Sequence, residues 1–306
     1  MALAVQAQWD TLSAQFAQIA EQAGRFVLAV HGAGRIATSG ILWRSGIVVT
    51  ANHMLRRVGE CDVALSDKST RKASLIGRDP ATDLAVLRVE GLDSGTAQFG
   101  NIGELRVGQV VMAVGRSTLG DLSASAGIVA RLGASWQTWR GGRIDSLLRP
   151  DVTLYRGQSG SALVDSRARV LGMNTSALAR SAAITVPSAT VDRVVGEILQ
   201  HGGVFRPYLG LAMQPIAIPP ELRVKLNLKS EAALMVMQVE ASSPSAEAGI
   251  MLGDVIVGIA GASTEGIEQV QRALSTAKRG DSLDIEYVRG GQLASVRVKL
   301  ADRPRN

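Results

Sequence analysis

The pattern of apolar positions changes character three times along the chain. In the first segment Val5, Trp9, Leu12, Phe16 and Ile19 recur in alternating steps of four and three. Those steps place all five on one stripe and predict an amphipathic helix over residues 1–25. Gly24 is expected to end it, as a residue that tolerates the left-handed conformation. The stripe suits packing on the helix's own domain, and the same spacing fits a heptad seam between subunits. Both readings stay open.

From Phe26 to about Ile184 the texture turns to short β runs broken by glycine: Phe26–Val30, Ile47–Thr50, Val63–Leu65, Leu84–Val89, Val110–Val114, Leu163–Val164 and Val170–Met173. Many short strands with Gly-rich turns predict an antiparallel sandwich or barrel. Helical spacing returns at Thr190, Val191, Val194, Val195, Ile198 and Leu199, with Thr190 expected as N-cap and Gly202 as stop. The stretch from Gly202-Gly203 to Pro207 reads as a linker. Beyond it, runs at Leu234–Val239, Val255–Ile259, Leu283–Val288 and Ala294–Leu300 surround a helix near Ile267–Ala277, the pattern of a small α+β module. The expected organisation is a helix at 1–25, a β domain at 26–201 and the α+β domain at 207–303. A length of 306 residues agrees with two domains.

Hydrophobic residues make up 46% and charged residues 20%, the balance of a globular protein, and aromatics at 4% leave the cores to aliphatic side chains. The one cysteine, Cys61, excludes an internal disulfide and argues against a cysteine-based metal site. Its neighbours Glu60 and Asp62 raise a thiol pKa, so an inert cysteine is expected. No cofactor and no metal are called for. A net charge of +6 brings nucleic acid into question, but the basic residues are scattered and no aromatics interleave them to stack bases. No nucleic-acid partner is expected. No window of 18 apolar residues exists, so no membrane span is expected. The first residues lack a cationic stretch followed by an apolar core, which reads as cytoplasmic. A chain trimmed of an export signal, and so periplasmic, would read the same.

Chemistry concentrates in three motifs. Of the histidines His31, His53 and His201, only His53 has a telling context, Thr50-Ala51-Asn52-His53 at the end of an apolar strand. Asp79-Pro80-Ala81-Thr82-Asp83 then leads into Leu84–Val89, so Asp83 stands at the mouth of a buried run and needs a partner. A histidine ring N–H would satisfy it and fix the useful tautomer. Arg156-Gly157-Gln158-Ser159-Gly160-Ser161 places a serine between glycines just before a strand. Its hydroxyl is then exposed, and the N–H groups of Gly157 and Ser159 are free to form an oxyanion hole. One such donor contributes roughly 3–4 kcal/mol to the transition state. A lone Gly-x-Ser-Gly among 33 glycines is weak. Together the three motifs, in the order His, Asp, Ser, follow the chymotrypsin-type order.

On Ser39-Gly40, Thr50–His53, Asp79–Leu87, Leu105–Gly108, Gly127–Val129, Gly157–Val164, Leu171–Thr175 and Ile184–Val191, the first domain resembles the HtrA branch of chymotrypsin-like proteases. The resemblance implies a chymotrypsin-like double β-barrel with the site in the cleft between barrels. The second domain is similar to a bacterial PDZ domain through Pro207–Leu211, Ser243–Gly249 and Gly253–Ile256. It implies that Tyr208, Leu209, Gly210 and Leu211 receive the carboxylate of C-terminal peptides, which add as a strand beside Leu211–Met213 near Val270, Ala273 and Leu274. The family also implies unfolded polypeptides as substrates and a homotrimer as the assembly.

Two departures matter. Tyr155-Arg156 and Ser161 replace the family's Asn-Pro and glycine around the nucleophile. Gln158 replaces the residue that, as aspartate in digestive relatives, pairs with a new N-terminus, so activation by trimming is not expected. Six residues before Ser159 stands Thr153 rather than an acid. With Leu154 and Ala177 as walls, the specificity pocket is expected to favour small or medium aliphatic residues, since an Arg or Lys would be buried unpaired. The resulting expectation is a serine endopeptidase. The alternative is a catalytically silent PDZ-containing scaffold.

Overall fold

Aliphatic runs of five to seven residues close on themselves twice in the first part of the chain. In a computed structural model describing residues 2–32, 36–55, 59–92, 95–116, 120–179 and 183–302, the chain divides into two units, Met1–Val204 and Phe205–Asn306. Helix α1 (Ala2–Gly24) opens the first unit. Strands β1 (Val27–His31), β2 (Thr38–Arg44), β3 (Ile47–Ala51), β4 (Glu60–Ala64), β5 (Thr70–Asp79) and β6 (Leu84–Val89) follow. They form a closed antiparallel barrel in the order β1-β2-β3-β6-β5-β4. His31 ends the first of these strands.

The second barrel takes β7 (Val110–Arg116), β8 (Leu122–Gly133), β11 (Leu147–Asp151), β12 (Ala162–Val164), β13 (Val170–Thr175) and β14 (Ile184–Pro187), with the short hairpin β9 (Trp136–Gln137) and β10 (Arg143–Ile144) between β8 and β11. Its order is β11-β14-β13-β12-β7-β8. Closure leaves no unpaired sheet edge, which decides for barrels over a sandwich.

The period-2 alternation of β12 shows how the barrels are joined. Leu163 packs with Val111, Val129, Leu148 and Leu171 inside the second barrel. Its neighbours Ala162 and Val164 face the other way and join Met112, Val114 and Met173 in a cluster continuous with Val30, Val49, Leu84 and Val86 of the first barrel. One apolar seam therefore runs between the barrels. Each fully buried aliphatic side chain in it contributes about 1.5–3 kcal/mol.

Helix α2 (Ser188–His201) lies against β5 and β6 of one barrel and β13 and β14 of the other, burying Val191, Val194, Val195 and Ile198. Gly202 ends it in the left-handed conformation, as expected. Thr190 is not its cap. The helix starts after Pro187, and the Thr190 hydroxyl donates to Asp145 and accepts the Asp145 N–H, a tertiary partner the local sequence could not announce. Asp192 on the same helix accepts from the buried Trp43 indole at 2.8 Å.

Helix α1 ends at Gly24, though without a left-handed residue. A Cβ there would lie 2.9 Å from the end of the Leu122 side chain, which packs over this turn. Phe16, Ile19 and Ala20 pack on the core of the same unit, while Trp9 and Leu12 are exposed. The Val5 side chain lies outside the described residues.

The second unit pairs β15 (Pro207–Tyr208) with β22 (Ala301–Asp302) and builds a sheet in the order β16-β17-β18-β20-β21 from Leu211–Ala217, Ala232–Val239, Val255–Ile259, Ser282–Arg289 and Gln292–Lys299. The short β19 (Ala262–Ser263) pairs with β18. On one face α5 (Ile267–Thr276) inserts Val270 among Leu234, Val236, Ile256 and Ile285. On the other, α3 (Pro220–Lys225) places Leu222 against Ile218, Ala233 and Val257. The one-turn helix α4 (Pro244–Glu247) is capped by the Ser243 hydroxyl.

Cys61 is buried on β4, and burial first, then the Asp62 charge, pushes its thiol up to about 11. The folded state thus holds a proton that a free thiol, at 9.0, gives up. The contribution of Cys61 to stability should be constant below pH 9.0 and be lost as pH rises from there through about 11. Native protein at pH 8 should resist iodoacetamide and label stoichiometrically once unfolded in urea. Rapid labelling of the native protein would contradict the buried placement.

Candidate active site

His53 comes from a single 3-10 turn, Asn52–Met54, that follows β3 without a break. Asp83 precedes β6, the strand paired with β3, so the ladder brings both residues to one end of the first barrel. The loop before Asp83 is shaped by Asp79, whose carboxylate accepts the Ala81 N–H at 3.2 Å and the Thr82 hydroxyl at 2.7 Å. Asp83 itself adopts φ 59°, a left-handed conformation that aspartate tolerates better than most residues.

Only 2% of Asp83 is exposed, and its carboxylate is fully engaged. Oδ1 accepts the His53 backbone N–H at 2.9 Å. Oδ2 lies 2.7 Å from His53 Nδ1 and accepts the Thr175 hydroxyl at 2.5 Å. An ionised carboxylate only accepts, so Nδ1 carries the proton and Nε2 of the neutral ring is left as a base. Thr175 ends β13 of the second barrel, and its Oγ1 also accepts the Ala177 N–H at 3.0 Å.

Ser159 lies just before β12, on a turn that the sequence braces from several sides. The Gln158 N–H donates to the Tyr155 carbonyl at 2.9 Å, and Gly157 at the third position has φ 88°, the geometry of a type II turn. A Cβ on Gly157 would meet the Ala37 carbonyl oxygen at 2.7 Å, and one on Gly160 would meet that of Ser39 at 2.0 Å. Gln158 is buried. Its Oε1 accepts the Tyr155 N–H at 3.0 Å and its Nε2 donates to the Ser123 hydroxyl on β8 at 2.8 Å. Ser161 is also in use, accepting from Asn174 Nδ2 at 3.1 Å.

The same turn is tied to the first barrel. The Ser39 N–H donates to the carbonyls of Gly157 at 2.9 Å and Ser159 at 3.2 Å, and the Thr38 hydroxyl donates to the Ser159 carbonyl. Behind Ser39, the Arg116 N–H donates to its hydroxyl at 3.0 Å. The buried Arg116 guanidinium donates to the carbonyls of Val27 at 2.6 Å and of Gly120 and Gly24 at 2.7 Å. Among the described residues, the N–H groups of Gly157 and Ser159 donate to no acceptor, which leaves both available to a ligand oxygen. The Ser159 hydroxyl lies 3.1 Å from that of Ser176 and accepts the Ser176 N–H at 3.3 Å.

Thr153 is exposed, and its carbonyl accepts from Ser125 at 2.7 Å; Leu154 is half-buried and Ala177 exposed. In the second unit Tyr208 pairs with Ala301, and its hydroxyl donates to Glu240 at 2.6 Å. Leu209 and Val270 are core residues, while Leu211 and Leu274 pack at the core's margin. Ser39 and Thr175 lie in stretches that carry the family resemblance but suggested no role by sequence, and Ser176 and Ser123 were not singled out. Their one signal was the cluster of hydroxyl residues at the ends of buried strands.

Two barrels sharing a seam, with a histidine–carboxylate pair on one side and a glycine-flanked serine on the other, define a trypsin-like peptidase domain. Residues 38–173 match that domain family, described as the trypsin-like peptidase domain, and residues 207–300 match the PDZ domain. The serine protease Do-like HtrA of Lactobacillus helveticus is 33% identical over 272 residues, covering 83% of this chain and 65% of its own length. The probable periplasmic serine endoprotease DegP-like of Bartonella henselae is 31% identical over 265 residues, covering 85% of this chain and 52% of its own. The chain thus spans between half and two thirds of these relatives. Its fold is shared with HtrA-type protease AlgW bound to a decapeptide, at TM-score 0.74 and 23% identity over 95% of this chain and 99% of that one. The serine endoprotease of Yersinia pestis gives TM-score 0.73 at 23% identity over 94% and 98%. The chain thus carries a trypsin-like peptidase domain followed by one PDZ domain, and its relatives are named as HtrA and DegP-like serine proteases.

Gly160→Ala combines a left-handed backbone with a 2.0 Å collision against backbone, and neither can relax cheaply. It is expected to destabilise the protein by about 3 kcal/mol or more, read as a lower urea midpoint at unchanged slope. A midpoint equal to wild type would refute the tight seating of this turn.

Proposed function

We propose that the chain is a serine endopeptidase that cleaves unfolded polypeptides, regulated by C-terminal peptides at its PDZ domain. The observation that carries the reading is the Asp83–His53 pair at 2.7 Å, with Ser159 brought beside it through Thr175, which donates to Asp83, and Ser176, whose N–H donates to Ser159. In this reading His53 takes the Ser159 proton as the hydroxyl attacks the scissile carbonyl, then returns it to the leaving amine. Asp83 holds the ring's tautomer and stabilises the imidazolium. The Gly157 and Ser159 N–H groups receive the oxyanion. The boundaries 26–201 and 207–303 are the working limits of the two functional domains. The periplasmic naming of relatives supports a periplasmic setting, and among the described residues no helix is long and apolar enough to cross a membrane.

For the PDZ arm, the support is the sheet order. β16 is an end strand, paired to β17 on one side only, so a peptide can add along the other beside α5. The loop Tyr208–Leu211 leads directly into that strand.

A fluorophosphonate probe is expected to label Ser159, with labelling lost in Ser159→Ala. Asp83→Asn, which favours the wrong tautomer, should slow peptide hydrolysis by roughly 10⁴-fold. Folded protein that never labels, with or without peptides ending in a free carboxylate, would favour the silent scaffold instead. A stimulating peptide should lose its effect when its C-terminus is amidated, since the amide removes the charge the Tyr208–Leu211 loop would hold.

Thr153, Leu154 and Ala177 carry no charge, which supports a preference for small or medium aliphatic residues before the cut bond. In a fluorogenic panel, Val, Ala and Leu substrates should exceed Arg substrates in kcat/KM. The reverse order would sink this reading.

A further inference from the structure

We infer that Ser176 is a positioning residue that holds the Ser159 hydroxyl away from His53 in the resting protein, so that removing its hydroxyl makes the nucleophile more reactive. The inference rests on Ser159 being the nucleophile. Two contacts carry it: Ser159 Oγ accepts the Ser176 N–H at 3.3 Å and lies 3.1 Å from Ser176 Oγ. Among the described residues, both partners of the Ser159 hydroxyl are on Ser176, and no hydrogen bond joins it to His53. The other half of the machinery is nonetheless assembled, with the Asp83–His53 pair closed at 2.7 Å.

A hydroxyl has one proton to give. Whichever of the two hydroxyls donates to the other, Ser159 Oγ sits against Ser176 and makes no hydrogen bond to His53, so it is not placed to pass its proton to Nε2. General-base catalysis requires the base within hydrogen-bond reach of the proton it abstracts, and the side chain of Ser159 must therefore rotate before it reacts. The adjoining Thr175 donates to Asp83. The dipeptide Thr175-Ser176 thus reaches both ends of the constellation, securing the carboxylate through one hydroxyl and drawing off the nucleophile through the next. Ser176 is itself exposed, so an incoming chain or water can compete for its hydrogen bonds and release Ser159.

The test is the second-order rate of fluorophosphonate labelling of the full chain, for wild type, Ser176→Ala, Ser176→Thr and Ser159→Ala. Ser176→Ala should label about fivefold faster, the factor one net hydrogen bond carries, with kcat raised and KM little changed. Ser176→Thr, which keeps the hydroxyl, should stay near the wild-type rate, a rescue that a merely structural role would not produce. Ser176→Ala labelling at the wild-type rate or slower, with an unchanged melting temperature, would overturn the inference while leaving the peptidase reading intact. Equal acceleration in Ser176→Ala and Ser176→Thr would overturn it as well, by assigning the effect to packing. Absence of Ser159-dependent labelling in every variant would instead overturn the peptidase reading, and this inference with it.

Discussion

The buried carboxylate of Asp83 sets the terms for the rest of the first unit. A charge with 2% exposure is tolerated only if donors surround it, and here there are three. Two come from His53, through its backbone and its ring, and one comes from Thr175 of the other barrel. The requirement to satisfy one ion therefore draws a donor from each barrel. The apolar seam and this one hydrogen bond from Thr175 to Asp83 thus both link the two barrels.

Around Ser159 the same logic is carried by neutral groups. Gln158 replaces an acid that elsewhere needs a cationic partner, and it uses both ends of its amide, one on the Tyr155 N–H and one on Ser123. An uncharged brace needs no newly made N-terminus to close it. Ser161, which departs from the family's glycine, likewise finds a partner in Asn174. The departures around the nucleophile are thus compensated within the turn or one strand away.

Much of this was legible in the sequence, for identifiable reasons. His53, Asp83 and Ser159 each sit at the end of an apolar run, and such runs announce themselves by composition. β2, β5, β8, β11 and β14 were not among the runs named as strands; β8, for example, alternates small and polar residues, Leu122-Ser-Ala-Ser-Ala-Gly127, whose burial is only partial. Thr190 was read as a cap because caps are usually local, whereas its hydroxyl went to Asp145, 45 residues away in sequence. The partners of the site share that property. Thr175 is 92 residues from Asp83 and Ser39 is 118 from Gly157, separations across which no periodicity can speak.

The tether between Ser39 and the nucleophile turn has a consequence for the order of events as the chain is made. The turn belongs to the second barrel by sequence, yet its Gly157 and Ser159 carbonyls are held by Thr38 and Ser39 of the first. Neither barrel alone can therefore shape the turn. A chain caught halfway through synthesis or refolding presents this serine without the contacts that shape its turn, and those contacts are complete only once both barrels have formed.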